Sequence, residues 1–219
     1  TGIPMGVFPS GTGNDLGSAL GLKVDPEGAL EDLLKARPTA IDAAAANDTI
    51  FINAAGTGFD VDVIRNTEKY KRRFNGMLPY MLGIFKSLMD LKWDHFTITA
   101  DGETFEEDAI LIDACNGTRL AGGIKVAPIA ELNDGMLDVC IVRKLGRLGV
   151  LRVLPSVVKG KHLNSPHVRY LKAKELRLES TRENTLNLDG ELGSSTPVTF
   201  KILPGALTLL LPPKEEDNA

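Results

Sequence analysis

Three stretches of the 219-residue sequence combine residue types that can do chemistry with a spacing that suits it. The first is Pro9-Ser10-Gly11-Thr12-Gly13-Asn14-Asp15, read between a strand and a helix. Glycines let the backbone approach a phosphate closely, and a helix N-terminus offers free N–H groups and partial positive charge. Thr12 adds a hydroxyl, Asn14 an amide for a phosphate or ribose, and Asp15 a carboxylate for Mg²⁺. No Gly-Lys-Ser/Thr follows, and the glycine spacing is not that of a dinucleotide turn, so neither of those phosphate loops is present. A tight strand–helix turn capped by Asn14 fits the same letters. The second stretch is Leu188-Asp189-Gly190-Glu191. Two carboxylates astride a glycine can divide labour, one orienting a cation and the other acting as general base. Asp-Gly is equally a common hairpin turn. Asp101-Gly102-Glu103 repeats the triplet in a plain hairpin context, so the triplet alone does not separate a site from a turn. The third runs from Asn116 to Asp138 and holds Gly117, Gly122-Gly123, Pro128 and Asn133-Asp134-Gly135-Met136. A segment this long without periodicity is costly to order unless it shapes a site. A lone Asp among turn carbonyls suits a hard cation; a surface loop is the plainer alternative.

Several elements must position these groups. A short buried strand is expected over Ile3–Pro9 and a helix over Asn14–Leu22. A second helix starts at Asp25-Pro26-Glu27, with a capping acid and a proline in the first turn. Ala40–Ala46 and Thr49–Ala55 read as a hairpin about Asn47-Asp48. Phe59–Tyr70 and Gly76–Leu91 have helical spacing. The stripe Leu78, Met81, Leu82, Phe85, Leu88 and Met89 on the latter is expected in the core, with a lipid groove as the alternative. Trp93–Ala100 and Thr104–Ala114 alternate as a second hairpin. Met136–Val142 is a strand and Leu145–Val158 a helix. Val168–Glu179, Thr185–Leu188, Pro197–Leu203 and Leu207–Leu211 are strands. The fold class is therefore an α/β piece followed by a larger β-rich domain with helical insertions. The boundary falls near Asp42, giving units 1–42 and 43–211 and a loose tail, 212–219.

Composition bounds the function. Apolar residues make up 43% and charged residues 25%, which excludes a disordered or collagen-like chain. Cys115 and Cys140 lie in apolar runs and outside any C-x-x-C pair, which suits buried thiols of a reducing, cytoplasmic compartment. No uncharged apolar run reaches the length of a membrane span. Nine Lys or Arg and no Asp or Glu lie between Arg143 and Lys174, while the net charge is −4. A basic segment on an acidic body suggests contact with an anionic surface, or an ordinary solvated face. Aromatics at 5% and the lack of a recognised motif exclude nucleic acid as the partner.

The order of the motifs is more distinctive than any one of them. G-T-G-N-D-L-G-S-A-L is followed by F-I-N-A-A-G-T-G-F-D, then C-N-G with G-G-I-K and A-P, N-D-G-M-L-D-V, and finally L-N-L-D-G-E. This series resembles the bacterial diacylglycerol kinase family, related to sphingosine and ceramide kinases, over Gly6 to about Leu211. The resemblance implies an N-terminal α/β domain that binds ATP with Mg²⁺, of which residues 1–42 are a remnant. It also implies a C-terminal β-sandwich on the lipid side and an active site in the cleft between the two. It assigns nucleotide binding to Gly11, Thr12, Gly13, Asn14 and Asp15, and a cleft acid to Asp42. It makes Glu191 the general base for the lipid hydroxyl, supported by Asp189. It places a structural cation at Asp134 with the carbonyls of Glu131 and Met136. It further implies a peripheral encounter with a membrane surface. Two departures stand out. Gly83 falls near a helix position where some members carry lysine. The family's Gly-Gly-Asp-Gly-Thr string occurs nowhere in this sequence. A fragment of a longer protein, inactive alone and dimerising through exposed apolar surface, is expected. A non-catalytic lipid- or cation-binding module and an NAD-kinase-like enzyme are the alternatives.

Overall fold

The computed structural model describes residues 3–11, 13–76 and 78–213. In chain order the elements are β1 (Met5–Gly6), α1 (Asp15–Ala19), α2 (Pro26–Lys35), β2 (Arg37–Ala46), β3 (Thr49–Phe51), β4 (Ala54–Gly58), α3 (Phe59–Lys71) and α4 (Leu78–Met89). They continue as β5 (Asp94–Ala100), β6 (Glu103–Cys115), β7 (Leu137–Arg143), α5 (Arg147–Val158), β8 (Val168–Ala173), β9 (Glu175–Ser180), β10 (Thr185–Leu188), β11 (Glu191–Ser195) and β12 (Val198–Leu211). Among the described residues the strands form one sheet in the order β11-β10-β4-β6-β5-β9-β12-β2-β3, with β7 and β8 branching from β6. Every pairing is antiparallel except β1 with β12. The sheet curls on itself. Alternate residues such as Phe96, Ile98, Leu176, Leu178 and Phe200 come from distant strands yet fill one core. A second core lies on the opposite face, where Val150, Val153 and Val157 of α5 cover Ile110, Cys140 and Val142. Both cysteines are free and buried. The expected β-rich fold with helical insertions is the one observed, and the expected boundary at Asp42 falls inside β2.

Several boundaries differ from the sequence expectation, each for a physical reason. β1 is two residues long and exposed rather than buried. Asn14 precedes α1 in a left-handed conformation, φ 49°, and does not cap it. Its Oδ1 instead accepts the Gly11 N–H at 2.8 Å, closing the glycine turn. Asp25 caps α2 as expected, accepting the Gly28 N–H at 2.8 Å. Thr49–Ala55 is not one strand, because the chain bends at Ile52-Asn53 and β4 leaves for a different neighbour, β6. Val168–Glu179 breaks at Lys174, where Asp101 accepts the N–H groups of Lys174 and Glu175, both at 2.9 Å. β12 runs through the expected break, absorbing it as a register shift between Leu203 and Leu207. β11 lacks any alternating apolar pattern and was not anticipated. Of the tail, residues 214–219 lie outside the described residues.

The main correction concerns α4. Its apolar stripe does not lie in the core: Met81 is 64% and Phe85 63% exposed, and Leu78 and Met89 are exposed too. Only Leu88 of the stripe is buried. The helix packs on α3 through its small face, Gly83 and Ser87, with Asn66 Nδ2 donating to Ser87 Oγ at 2.9 Å. A Cβ on Gly83 would meet Thr67 N at 3.0 Å and collide with Thr67 Oγ1. Gly83→Val should therefore force α3 and α4 apart and cost about 1–3 kcal/mol, as overpacking does. Urea denaturation checks this; an unchanged midpoint would mean that the two helices are not packed through Gly83.

Candidate active site

The 188–191 segment is a two-residue hairpin. Leu188 pairs with Glu191, and the central residues Asp189 and Gly190 have φ of 50° and 96°. Positive φ at both positions is what a type I′ turn requires and what Asp-Gly supplies. The Asp189 carboxylate accepts three backbone N–H groups, from Ile52 at 2.7 Å and from Asn53 and Ala54 at 2.9 Å. Its own N–H donates to Ala54 O at 2.9 Å. Asp189 is thus a staple that fastens the turn to the 52–54 bend. The repeat triplet behaves alike: Asp101 and Gly102 have φ of 47° and 90°, and Asp101 staples the β8–β9 corner. The difference between the two turns lies in what the staple presents. At 189–191 it presents Glu191, exposed at the start of β11, with a side chain that has no hydrogen-bond partner among the described residues.

The 52–54 bend leads directly to the third stretch. Asn53 O accepts the N–H groups of Asn116 at 2.9 Å and Gly117 at 2.8 Å, and Asn53 Nδ2 donates to Arg119 O at 2.8 Å. Asn116 Nδ2 donates to Ile52 O at 2.8 Å and to Asp42 O at 3.0 Å. Gly117 has no room for a Cβ, because Asn53 Oδ1 lies there. Further on, Ala121, Gly122 and Gly123 are all left-handed. That conformation turns two successive N–H groups toward Asp15, whose carboxylate accepts Gly122 N–H at 2.9 Å and Gly123 N–H at 2.8 Å. The glycine turn, the 116–123 segment and the Asp-Gly-Glu turn therefore form one continuous wall. Gly11, Gly13, Asn14 and Asp15 sit at one end and Glu191 at the other. Thr12 lies outside the described residues.

Asp42, expected as a cleft acid, is only 3% exposed and lies within β2. It accepts Gly135 N–H at 2.7 Å and Gly205 N–H at 2.8 Å, clamping two turns to the strand. Asp134 caps Met136 N–H at 3.0 Å and pairs with Lys172 Nζ at 2.6 Å, and this partner holds the lysine above its usual pKa. Lys172 thus occupies the carboxylate that the resemblance gives to a cation with the carbonyls of Glu131 and Met136. Among the described residues no three His, Cys, Asp or Glu side chains are arranged to hold a metal. With one Asp134 oxygen on the Met136 N–H and the other on Lys172, the structure holds an ammonium group where the resemblance places the cation. The sequence did not single out Asn53, Asn116 or Asn187 as individuals. Their signal is an amide inside an apolar strand, as in Phe51-Ile52-Asn53-Ala54 and Ala114-Cys115-Asn116, where burial demands specific partners.

The comparisons with known proteins bear on the family and the fold. Residues 53–211 match the family model described as the YegS C-terminal NAD kinase beta sandwich-like domain, and residues 1–46 match the diacylglycerol kinase catalytic domain. The chain is 31% identical over 221 residues to a diacylglycerol kinase of Bacillus subtilis (strain 168), covering 98% of this chain and 71% of that protein. It is 34% identical over 198 residues to a diacylglycerol kinase of Staphylococcus aureus (strain bovine RF122 / ET3-1), covering 90% and 62% respectively. The chain thus spans between about three fifths and seven tenths of the length of these relatives. Among solved structures, a Bacillus anthracis str. Sterne protein proposed to be a diacylglycerol kinase superposes with a TM-score of 0.81 at 27% identity. That alignment covers 96% of this chain and 68% of that one. On the matched domains, the identity to the curated relatives and the shared fold, the chain belongs to the diacylglycerol kinase family of lipid kinases.

Proposed function

We propose that this chain carries the lipid-side part of an ATP- and Mg²⁺-dependent kinase that phosphorylates the primary hydroxyl of diacylglycerol or a similar lipid. One observation carries the reading. Of Asp15, Asp42, Asp134, Asp189 and Glu191, the first four are held by backbone N–H groups or by a lysine, and Glu191 alone is free to act on a substrate. Glu191 takes the proton of the lipid hydroxyl as that oxygen attacks the γ-phosphorus. The O–P bond forms, the bond to the β–γ bridging oxygen breaks, and ADP leaves. Magnesium enters with ATP as part of the substrate. Asp189 positions Glu191, and the Gly11–Asp15 turn faces the phosphates. Phosphoryl transfer depends chiefly on such positioning.

The acceptor lies in a membrane, and the exposed face of α4 suits that encounter. Met81, Phe85 and Met89 stand out from α4, and Leu148 and Leu151 from α5. Cations flank them: Lys144 Nζ lies 3.3 Å from the centroid of the Trp93 ring, and Arg147 donates to Met89 O. Apolar side chains collared by cations favour peripheral binding to anionic lipid. The double variant Met81→Asp/Phe85→Asp should bind vesicles of phosphatidylcholine and phosphatidylglycerol at least about tenfold more weakly, since each side chain is worth on the order of 1.5–3 kcal/mol when buried. Equal co-sedimentation of variant and parent would remove α4 from the membrane contact.

The test of the activity is transfer of labelled phosphate from ATP to diacylglycerol in mixed micelles with Mg²⁺. This chain runs beside a version extended upstream to include a Gly-Gly-Asp-Gly-Thr string. Transfer by the extended protein supports the kinase. No transfer by either, across several lipid acceptors, leaves a non-catalytic lipid-binding module.

A further inference from the structure

Behind the Asp-Gly-Glu turn lie two carboxyl groups without a counter-ion, Asp113 buried and Asp60 half-buried with one oxygen sealed. Asp113 on β6 is 1% exposed, and neither of its oxygens has a partner among the described residues. It lies over Gly56 of the paired strand β4, where any Cβ would collide with Asp113 Oδ1. Asp60, the second residue of α3, has its Oδ1 likewise sealed and unpartnered. Its Oδ2 accepts Asn187 Nδ2 at 2.9 Å. Asn187 Oδ1 in turn accepts Gly190 N–H at 2.9 Å, at the centre of the turn that presents Glu191.

An isolated carboxylate buried without partners is too costly to persist as an anion. Gly56 pairs with Asp113 on one side and with Asn187, which donates to Asp60, on the other, so both acids converge on one glycine. Two such carboxyls with unpartnered oxygens resolve the cost by holding one proton between them. Burial pushes Asp60 up to about 6, and burial together with the Asp60 charge pushes Asp113 well above the usual carboxylate range. The other titratable groups nearby are Asp62 on α3, Cys115 on β6 and Cys140 on β7, none of them a cation. We propose that Asp60 and Asp113 form a proton-sharing pair that positions the Glu191 turn through Asn187. Asp113 carries the proton and donates it to Asp60, which stays an acceptor. An acceptor on one side and the Gly190 N–H on the other leave the Asn187 amide a single orientation. Asp60 and Asp113 are positioning residues; neither touches substrate.

The inference rests on the kinase reading only for its effect on turnover, so the first experiment does not use activity. Aspartate ¹³C-carboxyl and backbone amide resonances are followed by NMR across pH in the 219-residue chain and its variants. In the parent, one carboxyl of the pair stays protonated well above the usual carboxylate range. Asp113→Asn keeps an N–H donor toward Asp60, so the Gly190 amide is unchanged while Asp60 titrates lower than about 6. Asp60→Ala removes the acceptor; the Gly190 resonance shifts and its hydrogen exchange accelerates by about 5- to 10-fold, the worth of an ordinary hydrogen bond. In the extended kinase, Asp60→Ala lowers kcat and leaves KM for ATP unchanged. Two carboxyls that both ionise below pH 5 in the parent would overturn the pair, and that measurement needs no variant. An undisturbed Gly190 amide in Asp60→Ala would overturn the link to the turn. If the extended parent transfers no phosphate, the kinase reading fails and the Gly190 amide alone decides this inference.

Discussion

Glu191→Gln in the extended kinase is expected to lower turnover by about 10²–10⁴, the range ascribed to a positioned acid–base group, with no loss of stability. The second half of that expectation is as informative as the first. The Glu191 side chain is exposed and makes no hydrogen bond among the described residues, so glutamine removes the basicity and nothing else. The main-chain pairing of Glu191 with Leu188 does not depend on the side chain. Steady-state transfer to diacylglycerol, paired with urea denaturation, checks both halves. Parental turnover would dismiss Glu191 as the base, and a lowered urea midpoint would show that it has a structural partner.

Asp189→Ala is expected to do the opposite in kind. Three N–H groups from Ile52, Asn53 and Ala54 lose their acceptor at once. Water can reach part of this cluster, so the stability loss is about 2 kcal/mol rather than the sum of three charge-assisted bonds. Turnover should nevertheless fall by about 10², because a shift of one ångström at a positioned group is enough to do so. Asp189→Asn retains an acceptor oxygen and should recover part of both. Stability and turnover measured on the same preparations separate this positioning role from a chemical one. Loss of turnover at unchanged stability would instead make Asp189 a participant in the reaction.

Much of the fold was legible because it rests on local pattern. The alternation of Phe96 and Ile98, the Asp101-Gly102 turn and the cap at Asp25 each state their structure within a few residues. The α4 stripe shows where that legibility stops. Periodicity reports that one face of a helix is apolar, not what covers it; here Gly83 and Ser87 form the buried face and the stripe looks outward. Strand ends were misplaced where a distant side chain sets them, as Asp101 does between β8 and β9. β11 was missed because Glu191-Leu192-Gly193-Ser194-Ser195 has no apolar face to read. In the candidate site the motif residues were legible by type, and the resemblance paired Asp189 with Glu191, but the groups that hold each acid were not legible. Asp15, Asp42 and Asp189 act on main-chain N–H groups, which every residue but proline carries, from segments far away in sequence. No pattern of side chains announces such partners. That Glu191 is the acid left free became visible only once the others were accounted for.

The ribbon of β2 and β12 has a mechanical consequence. Residues 207–211 pair with the first half of β2 and carry β1, while residues 198–203 pair with its second half and with β9 in the core. Between them the register slips, Gly205 adopts φ 60°, and Asp42 grips the Gly205 N–H. Two strands make a member that is stiff to stretching and soft to torsion, and softest where its ladder is interrupted. Any rotation of the glycine turn against the β-domain would concentrate as twist about Asp42, and the grip of Asp15 on Gly122 and Gly123 would limit it at one end. The ribbon is laid out as a torsion bar, with the buried carboxylate of Asp42 at its slip and the half-buried carboxylate of Asp15 at its far end.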